Sequence, residues 1–279
     1  MNELEQKLRE NNPWKEYEGG SILVDDLNGR DESKPKSKTT LYSVLTNEDN
    51  FMDYDLNGNN FIDCPINGDP FNAKIILLFN NPSLPNFTKN RSKDHQAENF
   101  DPKKDYFTKK EREIIKDNLT LRSKEMLYTL EDADIINNGY DWYKKMWNSL
   151  GITKEQFSKN FCILQWFPYP SKKFHDDFVK RNLNNQIKML KSHQFIVQLA
   201  RYAISQGKTV IAMRSIHYWE DVLKPVPVGI DPEDNDVKYS KNYEDNFYFS
   251  LDNLNNSLKK EKITLPIKKQ INFQSILEK

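Results

Sequence analysis

The residues best suited to chemistry follow short apolar runs that the sequence predicts to be buried strands. Two carboxamides, Asn80 and Asn81, come directly after the run Ala73–Phe79, and Pro82 and Ser83 complete the segment. A carboxamide both donates and accepts hydrogen bonds, so it can orient a water molecule or a substrate carbonyl, but it has no useful pKa near 7 for general-base catalysis. Asn and Pro are also common turn residues, so a plain turn is the alternative interpretation.

Aromatic, polar and basic residues follow the second apolar run, Phe161–Trp166. Gln165 can hydrogen-bond the edge of a base, and Trp166, Phe167 or Tyr169 can stack on its face, a contact worth about 1–3 kcal/mol per base. The alternative is ordinary aromatic core packing beside a proline-rich loop. The candidates for phosphate contacts in the same segment are Ser171, Lys172 and Lys173.

Two further strand ends carry candidate residues. After the run Lys208–Met213 come Ser215 and His217, which we assign to a substrate pocket at this strand end, with His217 placed to stabilise negative charge. Ser250 follows the run Asn246–Phe249 and is placed to cap a helix. The alternatives are a structural histidine and a purely structural cap. The remaining candidates for contacts to a polyanion are Arg91, Arg214, Ser250 and Asn253.

The elements that must position these residues alternate along the chain. Apolar strand-like runs are separated by helical patterns, including a long helix over Leu183–Ser205 that ends at Gly207, while residues 229–245 have the composition of an acidic loop. Such alternation predicts an α/β fold with a parallel sheet covered on both faces. Because ligands bind at the carboxyl ends of the strands in such sheets, the four strand ends are expected to form one site.

Composition excludes several kinds of protein. The 279 residues contain 41 basic and 41 acidic side chains, so the whole molecule lacks a basic field for nucleic acid, although residues 86–124 and 258–279 carry an excess of basic side chains. No stretch reaches about 18 apolar residues, so no membrane span is expected. Two cysteines exclude a four-cysteine iron–sulfur cluster and fit a reducing cytoplasm. The histidines lack metal-ligand spacing, and we expect neither a metal nor any other cofactor.

The segment Phe79-Asn80-Asn81-Pro82-Ser83 resembles motif A of the uracil-DNA glycosylase superfamily. Residues 66–78 resemble the lead-in to that motif in bacterial glycosylase-like proteins. The resemblance covers roughly residues 65–260 and implies a three-layer α/β/α sandwich around a central four-stranded parallel sheet. It gives Asn81 or Asn80 the task of positioning water. Phe79 and Ser83 stand where the superfamily motif has glycine, and neither amide position carries the Asp of its stronger bases.

The resemblance implies a DNA glycosylase that flips a pyrimidine out of the stack and hydrolyses its N-glycosidic bond, leaving an abasic site. DNA is then the partner, and no cofactor is needed. Because Ser83 is small, a 5-modified cytosine of phage DNA is a candidate substrate besides uracil, with phage defence as the role. A non-catalytic nucleic-acid-binding or partner-binding domain on the same fold is the alternative, favoured by the replaced glycines and the missing Asp. A small-molecule enzyme that uses the same cleft is a third possibility.

The chain is predicted to have three parts. Residues 1–64 form an N-terminal capping segment and linker. Residues 65–260 form the α/β domain, with a helical insertion at 86–135. Residues 261–279 form a basic tail that packs on the domain.

Overall fold

The structure, a computed structural model, describes residues 2–17, 65–80, 109–122, 126, 137–168, 188, 190–213, 216–225, 237–250, 263–264 and 276–277. Within these ranges the helices are α1 (Glu3–Glu10), α2 (Lys109–Leu119), α3 (Asn137–Leu150), α4 (Lys154–Asn160), α5 (Lys191–Ser205), α6 (Ile216–Leu223) and α7 (Val237–Asn246). The strands are β1 (Ile66–Asn67), β2 (Ile75–Phe79), β3 (Phe161–Gln165), β4 (Thr209–Ala212), β5 (Phe247–Ser250) and β6 (Ile263–Thr264). The fold is α/β, as predicted.

The described strands form one mixed sheet in the order β1-β3-β2-β4-β5-β6. The four inner strands are mutually parallel, and the two-residue strands β1 and β6 pair antiparallel with β3 and β5 at the edges. The predicted parallel pairing is confirmed for the inner strands, whereas the two antiparallel edge strands were not predicted. Two residues are too few to show the alternation by which a strand is recognised in a sequence, so the edge strands depend on tertiary pairing.

The side chains of the inner strands alternate between the two faces of the sheet, as the pleat requires. Ile76 and Leu78 of β2 belong to a core that includes residues of α1, α2, α5, α6 and α7. Ile75 and Leu77 belong to a second core with residues of α3 and α4. Helices therefore cover both faces of the sheet. This arrangement explains why β2 is apolar at every position rather than at alternate ones.

Two helices differ from the sequence prediction. Leu190 has extended backbone angles (φ −65°, ψ 135°), so α5 begins at Lys191 rather than at Leu183. The segment predicted as an acidic loop contains α7, whose Tyr239 and Tyr243 are buried in the core one helical turn apart. The many polar residues around these two tyrosines hide their helical spacing in the sequence. None of the helices in the described ranges is long and apolar enough to cross a membrane.

Segments from both ends of the chain pack on the α/β domain. Trp14 is fully buried and meets the ring of Phe195 edge-on at 6.1 Å. Near the other terminus, Leu277 packs against the core beneath α3, and its carbonyl accepts a 2.8 Å hydrogen bond from Nζ of Lys74. Residues far apart in the sequence therefore complete the cores on both faces of the sheet.

Lys208 ties the start of β4 to the turn that precedes β2. Its half-buried ammonium group donates hydrogen bonds to the carbonyls of Pro70 (3.1 Å), Phe71 (2.5 Å) and Ala73 (2.8 Å). Burial lowers the pKa of Lys208, but three carbonyl acceptors stabilise the charged form. The lysine therefore holds the amino ends of β2 and β4 together.

We expect Lys208→Met to lower the free energy of unfolding by about 2 kcal/mol or more, because three carbonyls lose their donor while the apolar stem is kept. Urea unfolding of the two proteins measures the change. Lys241→Met on α7 is the matched control, because Lys241 is exposed, and its stability should stay within about 0.5 kcal/mol of wild type. Equal stability of the Lys208 and Lys241 variants would contradict this role for Lys208.

Candidate functional site

The carboxyl ends of β2 and β3 lie side by side in the middle of the sheet. Phe79, the last residue of β2, is level with Gln165, the last residue of β3. Beyond them the N–H of Trp166 donates to the carbonyl of Phe79 (2.8 Å), and the N–H of Phe167 donates to the carbonyl of Asn80 (2.6 Å). The backbone that carries Asn80 is thus held against the segment that follows β3. This is the edge of an α/β sheet at which ligands bind.

Two side-chain amides at this edge have buried oxygen atoms without a hydrogen-bond partner among the described residues. They are Oδ1 of Asn80 and Oε1 of Gln165. Gln165 is only 6% exposed. Leaving such an acceptor unpaired in a buried position costs about 1–3 kcal/mol. An incoming N–H or O–H group would satisfy either oxygen.

A cluster of aromatic rings lies beneath the same strand ends. Trp166 is fully buried, stacks on Tyr218 with ring centroids 5.6 Å apart, and meets Trp219 edge-on at 5.1 Å. The indole Nε1–H of Trp219 donates to the carbonyl of Phe79 (3.2 Å), which therefore accepts two hydrogen bonds. Phe167, which we predicted to stack on a base, is fully buried and is part of the core on this side of the sheet.

The structure locates two more of the predicted site residues. His217, the second residue of α6, is exposed, and its ring centroid lies 4.0 Å from that of Tyr218. Ser250, which we predicted to cap a helix, is the last residue of β5, and its backbone pairs with Ile263 of β6; the predicted helix itself lies outside the described residues. The other predicted site residues lie outside the described ranges: Asn81, Pro82, Ser83, Arg91, Tyr169, Ser171, Lys172, Lys173, Arg214, Ser215 and Asn253.

His193 is a further polar residue of this region that the sequence analysis did not select. It lies in the first turn of α5, is 2% exposed, and its ring centroid is 4.4 Å from that of Trp166. Neither ring nitrogen has a partner among the described residues. One signal was present in the sequence: His193 precedes Ile196 and Ala200 by three and seven residues, so it occupies the buried face of the helix.

The electrostatics of this region favour uncharged groups. Burial, with a smaller contribution from the charge of Lys188, lowers the pKa of His193 to about 3, so its imidazole is neutral at pH 7. Lys188 is itself ion-paired with Asp221 of α6, and its hydrogen bond lowers the pKa of that carboxyl group. In the part of the chain that the structure describes, no group of three or more His, Cys, Asp or Glu residues is placed to hold a metal ion.

The chain was compared with protein-family models, with curated proteins and with solved structures, and it matches none of them at a significant level.

The buried imidazole makes stability depend on pH in a definite direction. His193 has a pKa of about 3 in the folded protein and an ordinary value near 6.5 when unfolded, so between these values the unfolded chain binds one more proton. Acidification therefore favours unfolding. Above about pH 6.5 the contribution of His193 to the free energy of unfolding does not change with pH. Below that value the free energy of unfolding falls by about 1.4 kcal/mol per pH unit, so at pH 4.5 it is roughly 2–3 kcal/mol lower because of His193.

We expect His193→Phe to remove this part of the pH dependence. The measurement is the free energy of unfolding of wild type and variant at a series of pH values from 7.5 to 4.5. Carboxylates and the other histidines are common to both proteins, so the difference between the two curves isolates His193. Parallel curves would show that the imidazole of His193 is not held neutral.

Proposed function

We propose that this protein is a DNA glycosylase of the uracil-DNA glycosylase-like kind. It extrudes a damaged or modified pyrimidine from DNA, either uracil or a 5-modified cytosine, and hydrolyses the N-glycosidic bond to leave an abasic site. The observation that carries the proposal is the pair of carboxamides, Asn80 and Gln165, at neighbouring parallel strand ends, each with a buried and unpaired oxygen. Such groups suit the edge of a base, which presents N–H donors and carbonyl acceptors.

The architecture supports the same proposal. In the motif-A resemblance, the asparagines follow a strand buried in the middle of a parallel sheet, and Asn80 occupies this position directly after β2. The superfamily has a parallel sheet between helical layers, and this chain has four parallel inner strands with helices on both faces. We therefore extend the assignment from a general α/β fold to the uracil-DNA glycosylase-like sandwich.

The chemistry follows from the residue types. Flipping a base out of the stack costs a few kcal/mol, which contacts to the extruded base must offset. The bond from the sugar to the base breaks through an oxocarbenium-like state, and its electron pair leaves with the base as an anion. A water molecule adds to the sugar carbon that the base leaves, and the proton that this water loses passes to the departing base or to solvent. Asn81, or its neighbour Asn80, orients that water. Because an amide is a poor base, the rate enhancement comes from positioning and from hydrogen bonds to the departing anionic base, with His217 as a further donor.

The decisive experiment detects abasic sites. Wild-type protein is incubated with single- and double-stranded DNA that carries uracil or a thymine mismatch, and the strands are then cleaved with hot alkali. We expect product from wild type and a loss of about 10²–10³-fold in Asn81→Ala or Asn80→Ala, the usual effect of removing one group that acts on the transition state. Asn148→Ala on the exposed side of α3 is the matched control and should keep full activity. Product formation that survives both site substitutions would contradict the proposal.

The small side chain of Ser83 generates a separate prediction about the substrate. A small residue after motif A leaves room for a substituent at C5 of the pyrimidine, so we propose that hydroxymethylcytosine or its glucosylated form, as in modified phage DNA, is excised. The same assay with these bases tests it. We expect Ser83→Phe to reduce excision of the glucosylated base at least tenfold while sparing uracil. Efficient cleavage of uracil DNA together with no cleavage of either modified base would rule out this substrate assignment.

A second candidate is a non-catalytic nucleic-acid-binding domain. It is favoured by one observation: at the adjacent ends of β2 and β3 the described polar side chains are the carboxamides of Asn80 and Gln165, and no carboxylate is present among them to serve as a base. DNA that is bound without abasic-site formation on any substrate, with affinity that falls as salt rises, would support this candidate over the enzyme.

A further inference from the structure

Four aromatic rings from three parts of the chain form a buried group that has no role in the reaction proposed above. We call it the His193 cluster: His193 of α5, Trp166 after β3, and Tyr218 and Trp219 of α6. Trp166 is at its centre, with ring centroids 4.4 Å from His193, 5.6 Å from Tyr218 and 5.1 Å from Trp219. None of the four is more than 9% exposed.

Three polar atoms of this cluster have no partner among the described residues. They are both ring nitrogens of His193 and the indole nitrogen of Trp166. Trp219 provides an internal contrast, because its indole nitrogen does have a partner, the carbonyl of Phe79. Buried polar groups of native proteins are nearly always paired, so three unpaired atoms on two touching rings require a specific explanation.

The unpaired atoms define what the cluster can bind. A neutral imidazole offers one N–H donor and one acceptor nitrogen, and the indole offers one further donor. Burial among aromatic rings holds the pKa of His193 far below its ordinary value, and the same burial disfavours a charged ligand. Among the described residues, Lys188 is the one charged residue that contributes to the pKa shift of His193, and it is ion-paired with Asp221. The matching ligand is flat, uncharged, and carries both carbonyl and N–H groups.

The cluster also adjoins the strand ends. The backbone N–H of Trp166 donates to the carbonyl of Phe79, and the next residue along, Phe167, donates to the carbonyl of Asn80. A ligand held by Trp166 and His193 therefore lies next to Asn80, at the carboxyl end of β2. The side chain of Gln165 lies on the opposite face of the sheet, the face that also carries Phe79.

We propose that the His193 cluster is the recognition site for the extruded pyrimidine, in which His193 and Trp166 hydrogen-bond the carbonyl and N–H groups of the base. This assignment rests on the proposed function and adds His193 to the residues that read the base. The imidazole donates to one ring carbonyl and accepts from the N–H of uracil or the amino group of cytosine. The indole N–H donates to a second carbonyl or to a ring nitrogen of the base.

The test uses His193→Phe and Trp166→Phe, which keep an aromatic ring but remove the unpaired polar atoms. A purely structural role predicts unchanged ligand binding. Our assignment predicts that both variants bind free uracil and free cytosine at least tenfold more weakly than wild type. The same loss is expected when the free base binds together with duplex DNA that contains an abasic site. Thermal unfolding at pH 7.5 should show His193→Phe as stable as wild type or more so, because no existing hydrogen bond is lost. Tyr243→Phe on α7 is the control ring substitution and should bind as wild type does.

A second measurement does not depend on a variant that folds. The imidazole nitrogens of His193 in wild-type protein are followed by NMR during titration with uracil, cytosine and benzoate, a flat anion that should not bind. We expect saturable shifts of several parts per million with a pyrimidine. Unmoved His193 nitrogens with both pyrimidines, or unchanged affinity in His193→Phe, would overturn the assignment.

The outcomes separate this inference from the proposed function. Abasic-site formation that persists at the wild-type rate in His193→Phe would leave the glycosylase standing and remove the His193 cluster from recognition. Binding of free pyrimidines at His193 without cleavage of any DNA would keep the cluster as a base-binding site and remove the glycosylase.

Discussion

The position of β2 inside the sheet is the constraint on which the rest of the structure depends. All five residues of β2 are buried, and the strand pairs in parallel with β3 on one side and β4 on the other. A slip of one residue would exchange the side chains of β2 between the two cores and would shift Asn80 by about 3.3 Å relative to Gln165. The same register that fills both cores therefore brings two carboxamides to one edge.

Polar groups at the amino ends and at the carboxyl ends of the parallel strands differ in their hydrogen bonding. At the amino edge, the ammonium group of Lys208 meets three carbonyls, and its hydrogen bonds hold the strand starts together. At the carboxyl edge, buried polar atoms of Asn80, Gln165, Trp166 and His193 have no partner among the described residues. Well-paired groups stabilise the fold, whereas unpaired buried ones lower its stability.

Much of the fold was predictable because the inner strands carry their own signal. The apolar runs around Ile75–Phe79, Phe161–Gln165 and Thr209–Ala212 have the length and composition of strands buried on both faces, and their alternation with helices predicted a parallel sheet. The helix end at Gly207 was also correct, since its φ of +71° is a conformation that glycine adopts without strain. The edge strand Ile66–Asn67 was not predicted, because its pairing with β3 depends on residues almost a hundred positions away.

The sequence alone determined the α/β class, the placement of Asn80 directly after a buried strand and that of Gln165 at the end of the next, because these depend on local composition and on the order of elements. Only the tertiary structure decided that Phe79 is level with Gln165, that Phe167 is core, and that His193 packs on Trp166. It also decided that Ser250, the last residue of β5, pairs with Ile263 of β6. These features result from contacts between elements distant in sequence, and local spacing carries no information about which polar atoms those contacts leave unpaired.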